Sequence, residues 1–304
     1  MIRDSARALP TLALVFNALT WGLSWWPLRH LEALGLHPLW ATALVFGVAS
    51  LGIGLVQPKA WQQLAVSPTL WLVMLAAGAT NAAFNWAVTE GDVVRVVLLF
   101  YLMPLWAALL ACWILKEPLT LLALVRVALA LGGAAVVLWP HGAVGVGALP
   151  LPSSLPDVLG LAGGFCFALN NVLLRKESQR SGTSRALAMF VGGVVVAGAT
   201  AAVLTASAKI APVPAVAWPW LAGVLGLSLV FLSSNFALQY GAARLPANVA
   251  AIIMLSEVLF ATLSAVWLGA AELRPQVFWG GALIMLAAAL SLLPERCEST
   301  LKES

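Results

Sequence analysis

Charge is what this sequence has least of. Asp, Glu, Lys and Arg make up 9% of its 304 residues, where a soluble domain carries roughly 25%. So few charges cannot cover the surface of a water-soluble chain of this length, and 62% of the residues are hydrophobic. The reading that fits is an integral membrane protein. Cysteine is scarce as well. Cys112 and Cys166 lie in apolar stretches and Cys297 in a polar tail, with no pairing pattern that would build a disulfide framework. The three histidines, His30, His37 and His141, fall in the connections between apolar stretches, and no His-Glu-x-x-His, Gly-x-Ser-x-Gly or Walker A sequence occurs. Those absences speak against a membrane metalloprotease, a serine hydrolase and direct use of ATP. No metal site and no cofactor are expected.

What the sequence does have is long uncharged runs. Thirty residues lie between Lys59 and Glu90 without a charge, and Val96–Leu115, Ala186–Ala208 and Pro275–Pro294 are uncharged too. Each is near or above the ~18–20 residues that cross a bilayer as helix. None alternates apolar with polar as a barrel strand would. The runs predict ten transmembrane helices at about 11–28, 38–56, 69–89, 95–115, 119–138, 157–174, 185–206, 217–239, 245–268 and 275–293. The start, "MIRDSARALPTLALVF", has the basic and apolar parts of a signal peptide, but no small-x-small cleavage site follows, so it reads as an uncleaved first span.

Lys and Arg set the expected orientation. With the N-terminus in the cytoplasm, eleven of them fall on the inner side and four (Arg29, Arg95, Lys209 and Arg274) on the outer, leaving Arg126 inside the fifth helix. That asymmetry predicts that both termini are cytoplasmic. The net charge of +4 therefore reads as topology, and no nucleic-acid partner is expected.

The halves echo each other. "NWAVTEG" (Asn85–Gly91) ends the third helix and "NFALQYG" (Asn235–Gly241) the eighth; Trp21 precedes Arg29 by eight residues, as Phe167 precedes Arg175. A five-helix unit repeated after an odd number of crossings must be inverted, and inverted repeats are a transporter architecture with the site near the midplane. The expected fold is an all-α integral membrane protein, two inverted five-helix repeats around a central cavity. The expected division is 1–140 for the first repeat, 141–156 for a Gly/Pro-rich external linker and 157–304 for the second repeat with its short cytoplasmic tail.

Three stretches, "WGLSWW", "YLMPLWAALLACWILKEPLT" and "SEVLFATLSAVWLGAAEL", resemble the drug/metabolite transporter superfamily with its two EamA-type repeats. Within it, "GDVVRVVLLFYLMPLW" (Gly91–Trp106) is most similar to the bacterial exporters of aromatic amino acids. The resemblance implies a bacterial inner-membrane secondary transporter that exports aromatic amino acids or related amphipathic metabolites by alternating access. The alternatives are an exporter of lipophilic cations or drugs, a passive facilitator of the same fold and, from another class, a membrane-embedded lipid-modifying enzyme. The chain departs from the repeat pattern at Glu257-Val258, where Glu-Pro is usual.

Candidate cargo-site residues are polar or aromatic groups inside spans, because a polar side chain there must be paired or face water. Asn17 and Trp21 lie four apart on one stripe of the first helix. Asn81 and Asn85 lie on the third, Tyr101 on the fourth, Phe165, Asn170 and Asn171 on the sixth and Asn235 on the eighth; Ser256 and Phe260 flank Glu257 on the ninth. Helix–helix hydrogen bonding competes as a role for each amide. Pro104 is a candidate hinge, since it frees a backbone carbonyl. Glu257 lies thirteen residues from Arg244, about 20 Å along a helix, too deep to reach the interface. It could attract a substrate amino group, carry a proton as the coupling ion, or hydrogen-bond a neighbouring helix. The resemblance favours the last two, because a Glu there is general to the second repeat. The expected partners are an aromatic small-molecule substrate and the lipid bilayer.

Overall fold

The computed structural model describes residues 2–115, 121–139, 151–176, 181–242, 244–245, 250 and 253–290. Parts of the expected linker and tail, and the charged segment 116–120, lie outside them. Every regular element among the described residues is a helix. In order the helices are α1 (Ile2–Leu23), α2 (Trp25–Ala33), α3 (Pro38–Val56), α4 (Lys59–Val66), α5 (Pro68–Glu90), α6 (Val93–Phe100), α7 (Met103–Leu115), α8 (Leu121–Leu138), α9 (Leu155–Lys176), α10 (Gly182–Ala206), α11 (Trp218–Ala242), α12 (Ser256–Trp267) and α13 (Pro275–Leu290).

Several starts are written in the sequence. Ser67 caps α5 and Pro68 follows it, with Ser67 Oγ accepting from the Leu70 amide; Asp92 caps α6 by accepting from Arg95 N at 2.9 Å. A small oxygen side chain satisfies one of the amides that a helix start leaves open, and proline has no amide to leave.

Among the described residues, eight stretches are long and apolar enough to cross a membrane, so this is a multi-pass membrane protein. α12 and α13, with 12 and 16 residues, are shorter apolar helices. α4 is different in kind. It is short and buries only Ala60 and Leu64, and its Gln63 accepts from Ser184 Oγ of α10 at 2.7 Å.

Three spans read as continuous in the sequence are broken. α1 and α2 part at Ser24, whose hydroxyl donates to Trp21 O at 2.8 Å. α6 and α7 part at Tyr101 and Leu102. Pro104, the second residue of α7, has no amide for the Phe100 carbonyl, which explains a break there. α12 is preceded by a turn at Leu255, directly before Ser256 and Glu257.

The main packings join the two halves of the chain. α1 packs on α11 and α12, and α9 packs on α5, α6 and α7; α3 meets α10 and α11, α5 meets α10, α6 meets α12 and α8 meets α13. Counting the ten sequence segments one to ten, these pairings exchange among themselves when each segment is replaced by the one five further on. The α8–α13 contact is reciprocal at atomic level. A Cβ on Gly133 would lie 2.6 Å from Gly280 O and 2.7 Å from Ile284; one on Gly280 would lie 2.7 Å from Gly133 O and from Val137. Each glycine thus faces its counterpart and the residue four beyond. Gly192 of α10 likewise sits against the Met74 and Gly78 backbone of α5, the close approach that small residues permit within a membrane.

Candidate functional site

A cavity of about 430 Å³ lies between these helices, within the range of small-molecule sites. Its wall draws on α1, α3, α5, α6, α7, α9, α10, α11, α12 and α13, and on the two breaks, through Tyr101 and through Met254 and Leu255. Aromatic rings dominate in two groups. Trp21 stacks on Phe231 with centroids 4.7 Å apart and planes at 23°, and Phe46 touches both Phe231 and Phe190. Phe100 contacts Phe84 at 4.8 Å, Phe167 at 5.4 Å and Tyr101 at 6.2 Å.

Of the residues singled out in the sequence, Asn17, Trp21, Asn81, Tyr101, Asn170, Asn171, Asn235 and Glu257 line the cavity. Four do not. Asn85 is fully buried and donates to Thr42 Oγ1 of α3 at 3.0 Å, tying two helices together. Phe165 is 38% exposed and packs edge-on against Trp106. Ser256 turns its hydroxyl back to Ile253 O at 2.6 Å. Phe260 packs at the crossing of α12 with α1, where a Cβ on Gly22 would lie 2.7 Å from Phe260 Cβ and 2.8 Å from Glu257 O. Pro104 stands just past the break in the fourth span. Sequence reasoning missed most of the wall. Phe46, Phe84, Phe100, Phe190 and Phe231 are phenylalanines among many, and nothing in their local sequence separates a ring facing a cavity from a ring packed between helices.

Glu257 occupies the first turn of α12, the end of a helix where a negative side chain is favoured by the backbone dipole. Tyr101 OH donates to its Oε2 at 3.3 Å. One hydrogen bond therefore joins the break between α6 and α7 to the first turn of α12, and both partners line the cavity.

At the end of the bundle that carries Arg29 and Arg95, the two guanidiniums tie helices together. Arg95 pairs with Asp157 in a fork, Nε to Oδ1 at 2.7 Å and Nη2 to Oδ2 at 2.9 Å, and its Nη1 donates to Val137 O at 3.2 Å. Asp157 in turn accepts from Ser153 N at 3.0 Å, while its own amide donates to Ser154 Oγ. Ser154 thus caps the start of α9, and the Asp157 carboxylate takes the amide one residue before that cap. Arg29 donates to Gly91 O and Val88 O, fastening α2 to the end of α5. Nearby, outside the spans, His37 caps α3 by accepting from Leu39 N. Burial holds its pKa below the ordinary value, with Glu90 pulling the other way from 3.7 Å.

Arg126 is buried, 7% exposed, in α8, and does not line the cavity. Among the described residues no cluster of His, Cys, Asp or Glu could hold a metal ion.

Residues 9–139 match the model of the EamA-like transporter family. A solved crystal structure is similar at 21% identity with a TM-score of 0.57, over 97% of this chain and 99% of its own; that likeness shows the fold. Comparison with the curated proteins finds no match.

Proposed function

We propose that the chain is a secondary transporter of the EamA-like kind, which moves small amphipathic aromatic molecules through the 430 Å³ cavity by alternating access. The observation that carries the reading is the position of that cavity. It is walled by both halves of a multi-pass protein and meets the fourth and ninth spans where each is broken. Irregular backbone inside a membrane is tolerated where protein or a water-filled cavity covers it, and broken helices mark cargo sites in secondary transporters. The family match over residues 9–139 supports the reading.

Two inverted repeats, 1–140 and 157–304, are part of the proposal. The exchange of helix pairings five segments apart and the reciprocal Gly133–Gly280 contact support it. Such symmetry lets one half rock against the other around a fixed site. The cargo residues of the proposal are those on the wall: Asn17, Trp21, Asn81, Tyr101, Asn170, Asn171 and Asn235, with Glu257 as the proton-coupling or structural group. Aromatic amino acids and their relatives suit a wall of rings with interspersed amides. Export across a bacterial inner membrane, with cytoplasmic termini, follows from the sequence resemblance and the Lys/Arg asymmetry.

The test is flux into proteoliposomes. Labelled tryptophan, phenylalanine or tryptamine should enter faster than into protein-free vesicles, and accumulation should rise when a proton gradient is imposed. Entry of none of them, with or without the gradient, ends the transport reading. Equal entry and accumulation under both conditions leaves a facilitator and removes proton coupling.

A further inference from the structure

The hydrogen-bonding groups on the cavity wall are unevenly committed. Thr80 donates to Ala76 O and Asn81 to Ala77 O, both at 2.8 Å, and Tyr101 donates to Glu257. Asn17 Nδ2 faces Ser234 O at 3.0 Å and Ser234 Oγ at 2.7 Å. A backbone carbonyl only accepts, so the nitrogen of Asn17 must be on that side and its oxygen on the other. That oxygen has no partner, although Asn17 is fully buried. Asn170, 1% exposed, also carries an amide oxygen without a partner. Buried polar atoms in folded proteins are almost always paired, and an exception calls for a reason. Asn85 Oδ1 and Ser50 Oγ, away from the wall, are unpaired too; on the wall itself, two such acceptors have a common reason if the cargo supplies N–H groups.

The charge on the wall points the same way. Glu257 is an acid, and among the described lining residues there is no Lys, Arg or His. Asn171 and Asn235 keep amide protons, but these are uncharged and do not replace the hydration of a carboxylate. A cationic nitrogen, in contrast, meets acceptors, a nearby acid and the faces of Trp21 and the phenylalanines, which attract cations.

We infer that the cavity takes aromatic amines, molecules with a flat apolar ring and an N–H-bearing nitrogen but no carboxylate, and that Asn17 and Asn170 receive those N–H groups. The inference rests on reading the cavity as the cargo site, and it sorts within the amphipathic aromatic class.

Three probes with one ring isolate the point: tryptamine, tryptophan and indole-3-propionate, titrated calorimetrically into the purified full chain in detergent. Tryptamine should bind about tenfold or more tightly than tryptophan, and indole-3-propionate should give no heat and no competition. Asn170→Leu, checked by thermal unfolding to be folded, should weaken tryptamine about tenfold, while Thr200→Val, away from the cavity on α10, should not change it. Tryptophan binding as tightly as tryptamine overturns the inference and leaves the cargo site standing. An unchanged affinity in Asn170→Leu overturns its assigned role. If none of the three probes binds, the inference and the cargo-site reading fall together.

Discussion

Replacing Asp157 with alanine is expected to destabilise the protein by about 3 kcal/mol, the lower end of what breaking a buried ion pair costs. Asp157 is 2% exposed. Its carboxylate holds both arms of the Arg95 fork and the Ser153 amide. Removing it strands a guanidinium whose remaining bond is to Val137 O and takes away the first-turn acid of α9. The Arg95 side chain is 25% exposed, so it can swing towards headgroups and recover part of the loss; this is why the lower figure is expected. Thermal unfolding in one detergent, wild type against Asp157→Ala and Asp157→Asn, measures it. Asparagine should retain part of the stability, because it still accepts from Ser153. Equal stability of all three proteins would mean that the pair adds nothing to holding α6 and α9 together.

Exchanging Glu257 for glutamine is expected to remove gradient-driven accumulation, by about tenfold or more, while changing cargo affinity less. The carboxamide has nearly the same shape and can still accept from Tyr101 OH, so the link from the α6–α7 break to α12 survives. What it cannot do is bind and release a proton. A charged side chain within a membrane is costly and therefore usually functional, and Glu257 stands where the first turn of α12 meets the break between α6 and α7. Uptake with and without an imposed proton gradient, at several cargo concentrations, separates coupling from affinity. Tyr101→Phe serves as the companion variant, since it breaks the same hydrogen bond and leaves the acid. Unchanged gradient dependence in Glu257→Gln would leave Glu257 as a packing residue.

The membrane class and the positions of the helices were legible because they rest on composition and on apolar runs longer than a bilayer requires. The breaks were not. Pro104 marked one, and Pro27, three residues beyond Ser24 as Pro104 is beyond Tyr101, stands at another; Leu255 has no proline beside it, and nothing in its local sequence announces a turn. The amides were half legible. Rarity within a span flagged Asn17, Asn85, Asn170 and Asn235 alike, and only tertiary structure separates Asn85, which faces Thr42, from Asn170, which faces the cavity. The echo of Asn85 in Asn235 is a case in point. The positions correspond in sequence, yet one pins α5 to α3 and the other bonds Gln239 on its own helix while lining the cavity. The phenylalanine walls were illegible for the opposite reason, since apolar rings are ordinary inside a membrane whichever way they face.

The central claim is that cargo passes through this cavity, and filling it tests that claim most directly. Asn81 lines the cavity and is only partly buried, so Asn81→Trp can occupy the space without first displacing a packed core residue. Uptake of labelled tryptamine into proteoliposomes should be well above protein-free vesicles with wild type and should fall to their level with Asn81→Trp, in protein whose thermal unfolding is unchanged. Wild-type uptake that persists at full rate in the filled variant would contradict the account.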